Sequence, residues 1–141
     1  MTNRGVVPTS LRERDLHDAG SWPVAGVDEA GRGALAGPVV AGAVVADWRQ
    51  RFPWHDKVRD SKQLTRPARE RLYATILAET LSVGVGVVSS EEIDRIGIAA
   101  ASRHAMLQAL ESLSVVPQYV LIDWFTLPAL RTRQEGVPGG D

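Results

Sequence analysis

The sequence predicts an α/β fold, a mixed β-sheet flanked by helices. Three observations lead there. Apolar runs of strand length and segments of helical spacing follow one another in the order strand, strand, helix, strand, helix, strand. The chain has 141 residues, 44% of them hydrophobic, which suits one core. It contains no cysteine, so that core forms without disulfides or thiolate metal sites.

Each element follows from local chemistry. Residues 1–10 are polar and read as a loose terminus, and Leu11 to Ala19 suits a short helix stopped at Gly20. Residues 1–21 are therefore an N-terminal extension, and the domain proper spans 22–141. Trp22 to Asp28 and Val39 to Val45 are apolar and β-prone, two adjacent strands joined by the glycine-rich stretch Gly31 to Gly37. Asp47 to Ser61 shows no period and reads as loop. Thr65 then suits an N-cap with Pro67 in the first turn, and Leu72, Ile76, Leu77 and Leu81 form one helical face.

Leu81 to Val88 alternates, with Val83, Val85 and Val87 on one side and Gly84 and Gly86 permitting close packing. Ser89 and Glu92 form a capping-box pattern, Gly97 interrupts, and a longer helix covers Ile98 to Leu113 before Pro117. Tyr119 to Asp123 is a short strand. Trp124 to Asp141 reads as a tail without order, which leaves that last strand with little cover on one side.

Composition narrows the function classes. The formal net charge of −1 excludes a globally basic nucleic-acid binder. His17, His55 and His104 make no metal-ligand spacing, so a metal would be held by carboxylate oxygens, which favours magnesium or manganese. No signal-peptide pattern and no membrane-length apolar run is present, so a cytoplasmic address without membrane association is expected.

The candidate chemistry sits at strand ends. Asp28 and Glu29 close the first strand, where like charges at short range need neutralising, and a divalent cation would do so. Neighbouring strand residues point to opposite faces, so both reach one site only if the chain turns there, which Ala30-Gly31 allows; a solvated turn at the strand end is the plainer alternative. Asp123 closes another apolar strand. In open sheets ligands gather at the carboxyl ends of strands, so neighbouring strands would bring three carboxylates together. Gly31-Arg32-Gly33-Ala34-Leu35-Ala36 also fits a dinucleotide-loop pattern, but Pro38 and a valine-rich strand follow where that motif needs a helix.

Between Asp47 and Tyr73, eight Lys or Arg residues face four acids, a patch suited to phosphates or to a solvated helix face. Trp48, Phe52 and Trp54 within it suit base stacking or core. His104 and Met106 read as surface and packing residues.

The motifs then become specific. Ala25-Gly26-Val27-Asp28-Glu29-Ala30-Gly31-Arg32-Gly33, continued by Leu35-Ala36-Gly37-Pro38-Val39-Val40, closely resembles the signature of the ribonuclease HII family. Asp60-Ser61-Lys62-Gln63-Leu64, Ser90-Glu91-Glu92-Ile93-Asp94 and Val120-Leu121-Ile122-Asp123 resemble later motifs of that family in the same order. The resemblance runs from about Trp22 to Asp141.

It implies a ribonuclease H-like catalytic domain over 22–141, with Asp28, Glu29, Asp123 and Asp141 as catalytic ligands of two divalent ions, Mg2+ or Mn2+. Gly31, Arg32 and Gly33 would contact a ribonucleotide 2′-hydroxyl, and Lys62 a phosphate. The implied activity is endonucleolytic hydrolysis of RNA in an RNA-DNA hybrid, or cleavage 5′ of a ribonucleotide embedded in duplex DNA, by a monomer. Such an enzyme would leave a 3′-hydroxyl and a 5′-phosphate and serve replication and repair.

The sequence also departs from the family. Gly139 stands in place of a lysine before Gly140-Asp141, Ala34 in place of a proline and Trp124 in place of a glycine. Family members continue past the fourth aspartate with a helix and a substrate-stacking tyrosine, so the C-terminal helical part is expected to be missing here. The alternative reading is a catalytically inactive nucleic-acid-binding remnant of such an enzyme.

Overall fold

A computed structural model describes residues 11–30, 37–47, 65–123 and 126–137. The elements are α1 (Leu11–Asp18), β1 (Val24–Ala30), β2 (Val39–Val45), α2 (Arg66–Glu79), β3 (Ser82–Val88), α3 (Ser90–Ile96), α4 (Ile98–Glu111), β4 (Tyr119–Asp123) and β5 (Arg133–Val137). The strands form one sheet in the order β3-β2-β1-β4-β5. β1 pairs antiparallel with β2, and β2 with β3, while β4 runs parallel to both β1 and β5. The fold is a mixed α/β sheet flanked by helices, as the sequence predicts.

One sequence expectation is corrected here. The segment after Asp123 is not without order, because Arg133–Val137 forms β5 and pairs with β4 along its whole length. β4 is therefore an interior strand. The segment leading to β5 is tied down by one side chain: the Gln134 amide donates to the carbonyls of Leu127 (2.9 Å) and Leu130 (3.2 Å), and its oxygen accepts from the Leu127 N–H. A polar side chain that bonds backbone groups four and seven residues earlier has no periodic signature. As expected against the dinucleotide-loop reading, Gly37 and Pro38 lead into β2 and not into a helix.

The sheet has a core on each face. On one face, Ala25, Val27, Val39, Ala41, Ala43, Val45, Val120 and Ile122 pack against Ala101, Ala105, Met106, Ala109 and Leu110 of α4. Alanines four residues apart give α4 a flat side, and Gly84 and Gly86 of β3 let it approach the sheet backbone. The glycine face of β3 is thus buried while Val85 and Val87 point outward and are exposed.

β3 ends the sheet, and α4 protects its edge. The Val85 N–H donates to Ser112 Oγ (3.0 Å) and the Val87 N–H to Gln108 Oε1 (3.1 Å), so these edge donors are satisfied without another strand.

On the other face Leu16 of α1, Val24, Ala46 and Leu121 form a smaller cluster, with Leu72 and Ile76 of α2 against it. The helical face expected on α2 is narrower than its sequence pattern. Leu72 and Ile76 lie one turn apart and pack, whereas Leu77 is rotated away and Leu81 lies beyond the helix end, and both are exposed. The expected caps are present. Thr65 Oγ1 accepts from the Ala68 N–H and Ser89 Oγ from the Glu92 N–H, and Gly97 separates α3 from α4 at φ +88°, a value that favours glycine. Arg12 of α1 pairs with Glu135, which joins the first helix to the edge strand β5.

Candidate active site

β1 and β4 lie side by side at the centre of the sheet and run in the same direction. Their register pairs Val24 with Tyr119 and ends with Val27 opposite Ile122. The next position on each strand carries a carboxylate, Asp28 on β1 and Asp123 on β4. The condition that the sequence left open, that these two strands be neighbours, is met, and the two aspartates occupy adjacent positions at the end of the central parallel pair.

β1 is longer than expected. It continues through Asp28 and Glu29 to Ala30, which pairs with Val40, so both acids are strand residues and not turn residues. Strand alternation places Glu29 with Ala25 and Val27 on the α4 side, and Asp28 with Val24 on the other. Both side chains are half-buried. Asp28 Oδ1 accepts a hydrogen bond from the Glu29 N–H at 2.8 Å, which orients that carboxylate against its own backbone.

Other candidate positions fall elsewhere. Gly31, Arg32, Gly33, Lys62 and Asp141 lie outside the described residues, as do most of the basic patch and Trp48, Phe52 and Trp54. Its described members Arg66, Arg69 and Arg71 are exposed on α2. Met106 is fully buried in the main core and His104 is at the surface. Among the described residues no three acids or histidines form a group that could hold a metal ion. Asp28 and Glu29 nevertheless offer only carboxylate oxygen, the donor type that suits a hard divalent cation. Among the described residues, no helix is long and apolar enough to cross a membrane.

Carboxylates at the carboxyl end of the central parallel pair, in a five-stranded sheet ordered β3-β2-β1-β4-β5, define a ribonuclease H-like domain. Solved structures agree. The ribonuclease H2 of Pyrococcus horikoshii OT3 superposes with a TM-score of 0.62 at 37% identity, over 70% of this chain and 48% of that one. Bst-RNase HIII in complex with Mn2+ superposes with a TM-score of 0.61 at 25% identity, over 93% of this chain and 49% of that one.

The family model described as Ribonuclease HII matches residues 25–137. The ribonuclease HII of Dehalococcoides mccartyi strain BAV1 is 46% identical over 136 residues, which cover 96% of this chain and 64% of the relative. The chain belongs to the ribonuclease HII family, and it spans less than two thirds of the length of that relative.

Proposed function

We propose that this chain carries the carboxylate centre of a metal-dependent endoribonuclease that hydrolyses the RNA strand of RNA-DNA hybrids and cuts 5′ of ribonucleotides embedded in duplex DNA. The observation that carries the reading is the adjacency of Asp28 and Asp123 at the end of β1 and β4, within a chain of the ribonuclease HII family.

Asp28, Glu29, Asp123 and Asp141 would hold two divalent ions, magnesium or manganese, with Glu29 reaching the centre at the strand end from the face opposite Asp28. Asp123 is in register with Val137 of β5, and Asp141 follows Val137 by four residues, a reach of about 14 Å in extended chain that covers the strand ends. When bound, two such ions lower the pKa of an attacking water and stabilise the departing 3′ oxygen of a phosphodiester. The residues of the chain supply a rigid template. β1 is buttressed on both sides by β2 and β4, and the Glu29 N–H holds Asp28 in one orientation. The products would be a 3′-hydroxyl and a 5′-phosphate.

Gly31, Arg32 and Gly33 would read the 2′-hydroxyl through backbone groups, because that hydroxyl separates RNA from DNA and a site built to bond it rejects DNA strongly. Lys62 would hold a phosphate as a point charge. A monomer acting in the cytoplasm on replication and repair intermediates completes the reading.

The test is incubation of the purified chain with Mg2+ or Mn2+ and a DNA duplex containing one ribonucleotide, beside an all-DNA duplex. Metal-dependent cutting confined to the ribonucleotide supports the assignment. A folded chain that binds the duplex and never cuts it would overturn the catalytic reading in favour of a binding domain.

A further inference from the structure

A groove of about 180 Å³ lies between α4 and the β4–β5 connection, lined by Arg103, His104 and Leu107 on one side and Leu127, Pro128 and Ala129 on the other. Its place relative to the carboxylates follows from the register. Glu29 of β1 pairs with Ala41 of β2, and Ala41 with Gly86 of β3, so these three residues form one row across the sheet. Gly86 lies against the Ala105 carbonyl, and Gly84 against that of Ala109, so α4 runs antiparallel to β3. Ala105 therefore stands at the level of Glu29, and Arg103 and His104 stand about 1.5–3 Å further toward the carboxylate end of the sheet.

The lateral position agrees. α4 packs chiefly over β3 and β2, and Leu127 is buried in the same core after the chain has left β4. The groove between them opens on the face of β1 that carries Glu29, opposite the face that carries Asp28. Leu127 is four residues past Asp123, so its Cα lies within about 14 Å of the Asp123 Cα.

Its chemistry is cationic over an apolar floor. Arg103 and His104 are exposed; Arg103, like Arg71 and Arg131, has no carboxylate partner among the described residues, and His104 lies within electrostatic reach of Glu92. A planar guanidinium without an acid partner, beside an imidazole, suits a phosphate group. Such contacts set the register of a nucleic acid without reading its sequence.

We infer that this groove is a phosphate subsite for the substrate backbone on the Glu29 side of the strand ends, in which Arg103 and His104 hold a phosphate flanking the scissile bond. The inference rests on the nuclease reading above. It assigns these two residues to substrate positioning and not to the bond-breaking step.

The test is binding of the full chain to an RNA-DNA hybrid between 50 and 200 mM salt, comparing wild type, R103A, R103K and the double variant R103A/H104A. Removal of the Arg103 contact should lower the slope of log affinity against log salt by about 1, and the double variant by at least as much. R103A should weaken binding about 5- to 10-fold at low salt and raise KM more than it lowers kcat, with R103K recovering most of the slope. A wild type that binds the hybrid, with an unchanged slope in both alanine variants, overturns the subsite and leaves the nuclease reading intact. A folded wild type that binds no hybrid overturns both.

Discussion

Gly86 of β3 lies so close to Ala105 of α4 that a Cβ built on the glycine would sit 2.0 Å from the alanine carbonyl oxygen. That contact lets α4 lie on the sheet and sets the level at which its first turns meet the carboxylate end. A Cβ there would also meet the Ala109 N at 2.8 Å, so no side-chain rotation relieves the clash. Gly86→Ala should destabilise the fold by about 2–3 kcal/mol, as overpacking against backbone does. Gly42→Ala is the control, since nothing lies within 4 Å of a Cβ at that position. Thermal melting of both variants checks this, and equal melting temperatures would refute the close approach.

Asp28→Asn isolates charge from structure. The amide oxygen of Asn still accepts the Glu29 N–H, so that hydrogen bond should survive, while loss of a carboxylate from the proposed metal centre should lower cleavage by about 10²-fold or more. Asp28→Ala removes the hydrogen bond as well and should cost about 1 kcal/mol of stability in addition. Normal turnover by Asp28→Asn would remove the metal role from this residue.

Gln134 should matter for stability more than its exposure suggests. Its amide satisfies backbone groups of Leu127 and Leu130, and Gln134→Leu would leave those groups without that partner, at about 1–3 kcal/mol. Gln134→Glu keeps the acceptor for the Leu127 N–H and loses the donor, so its cost should fall between Gln134→Leu and wild type. Denaturant titration orders the three proteins, and any other order would count against the bridge.

Burial pushes the Glu13 carboxyl above its ordinary value of 4.5, partly countered by a hydrogen bond from its own backbone. A raised pKa in the folded state means that the neutral form is favoured there. Stability from this group is therefore fully present below the unfolded pKa and is lost as pH rises through the folded value. Glu13→Gln should match wild type near pH 4 and melt roughly 1–2 °C higher at pH 7. A melting difference that does not grow with pH would show that Glu13 is not the responsible group.

Much of the architecture is legible in local pattern. Val39–Val45 and Tyr119–Asp123 are observed with the bounds expected, and Thr65, Ser89 and Gly97 punctuate helices where their chemistry requires. Each of these depends on neighbours within four residues. β5 is different, because Arg133-Gln134-Glu135-Gly136-Val137 has neither alternation nor strand composition, and becomes a strand only because β4 offers it a complete parallel ladder.

The candidate site divides in the same way. Which residues could bind a metal was determined by the sequence, since Asp28, Glu29 and Asp123 each end or approach the end of an apolar strand and the ordered motifs name a family. That Asp28 and Asp123 are adjacent was decided only by tertiary structure, because β1 and β4 are ninety-five positions apart and meet through the parallel register of Val27 with Ile122. The groove of Arg103 and His104 is likewise a product of packing. Its level along the sheet depends on the approach of Ala105 to Gly86, a contact between backbones that hydrophobic periodicity does not encode.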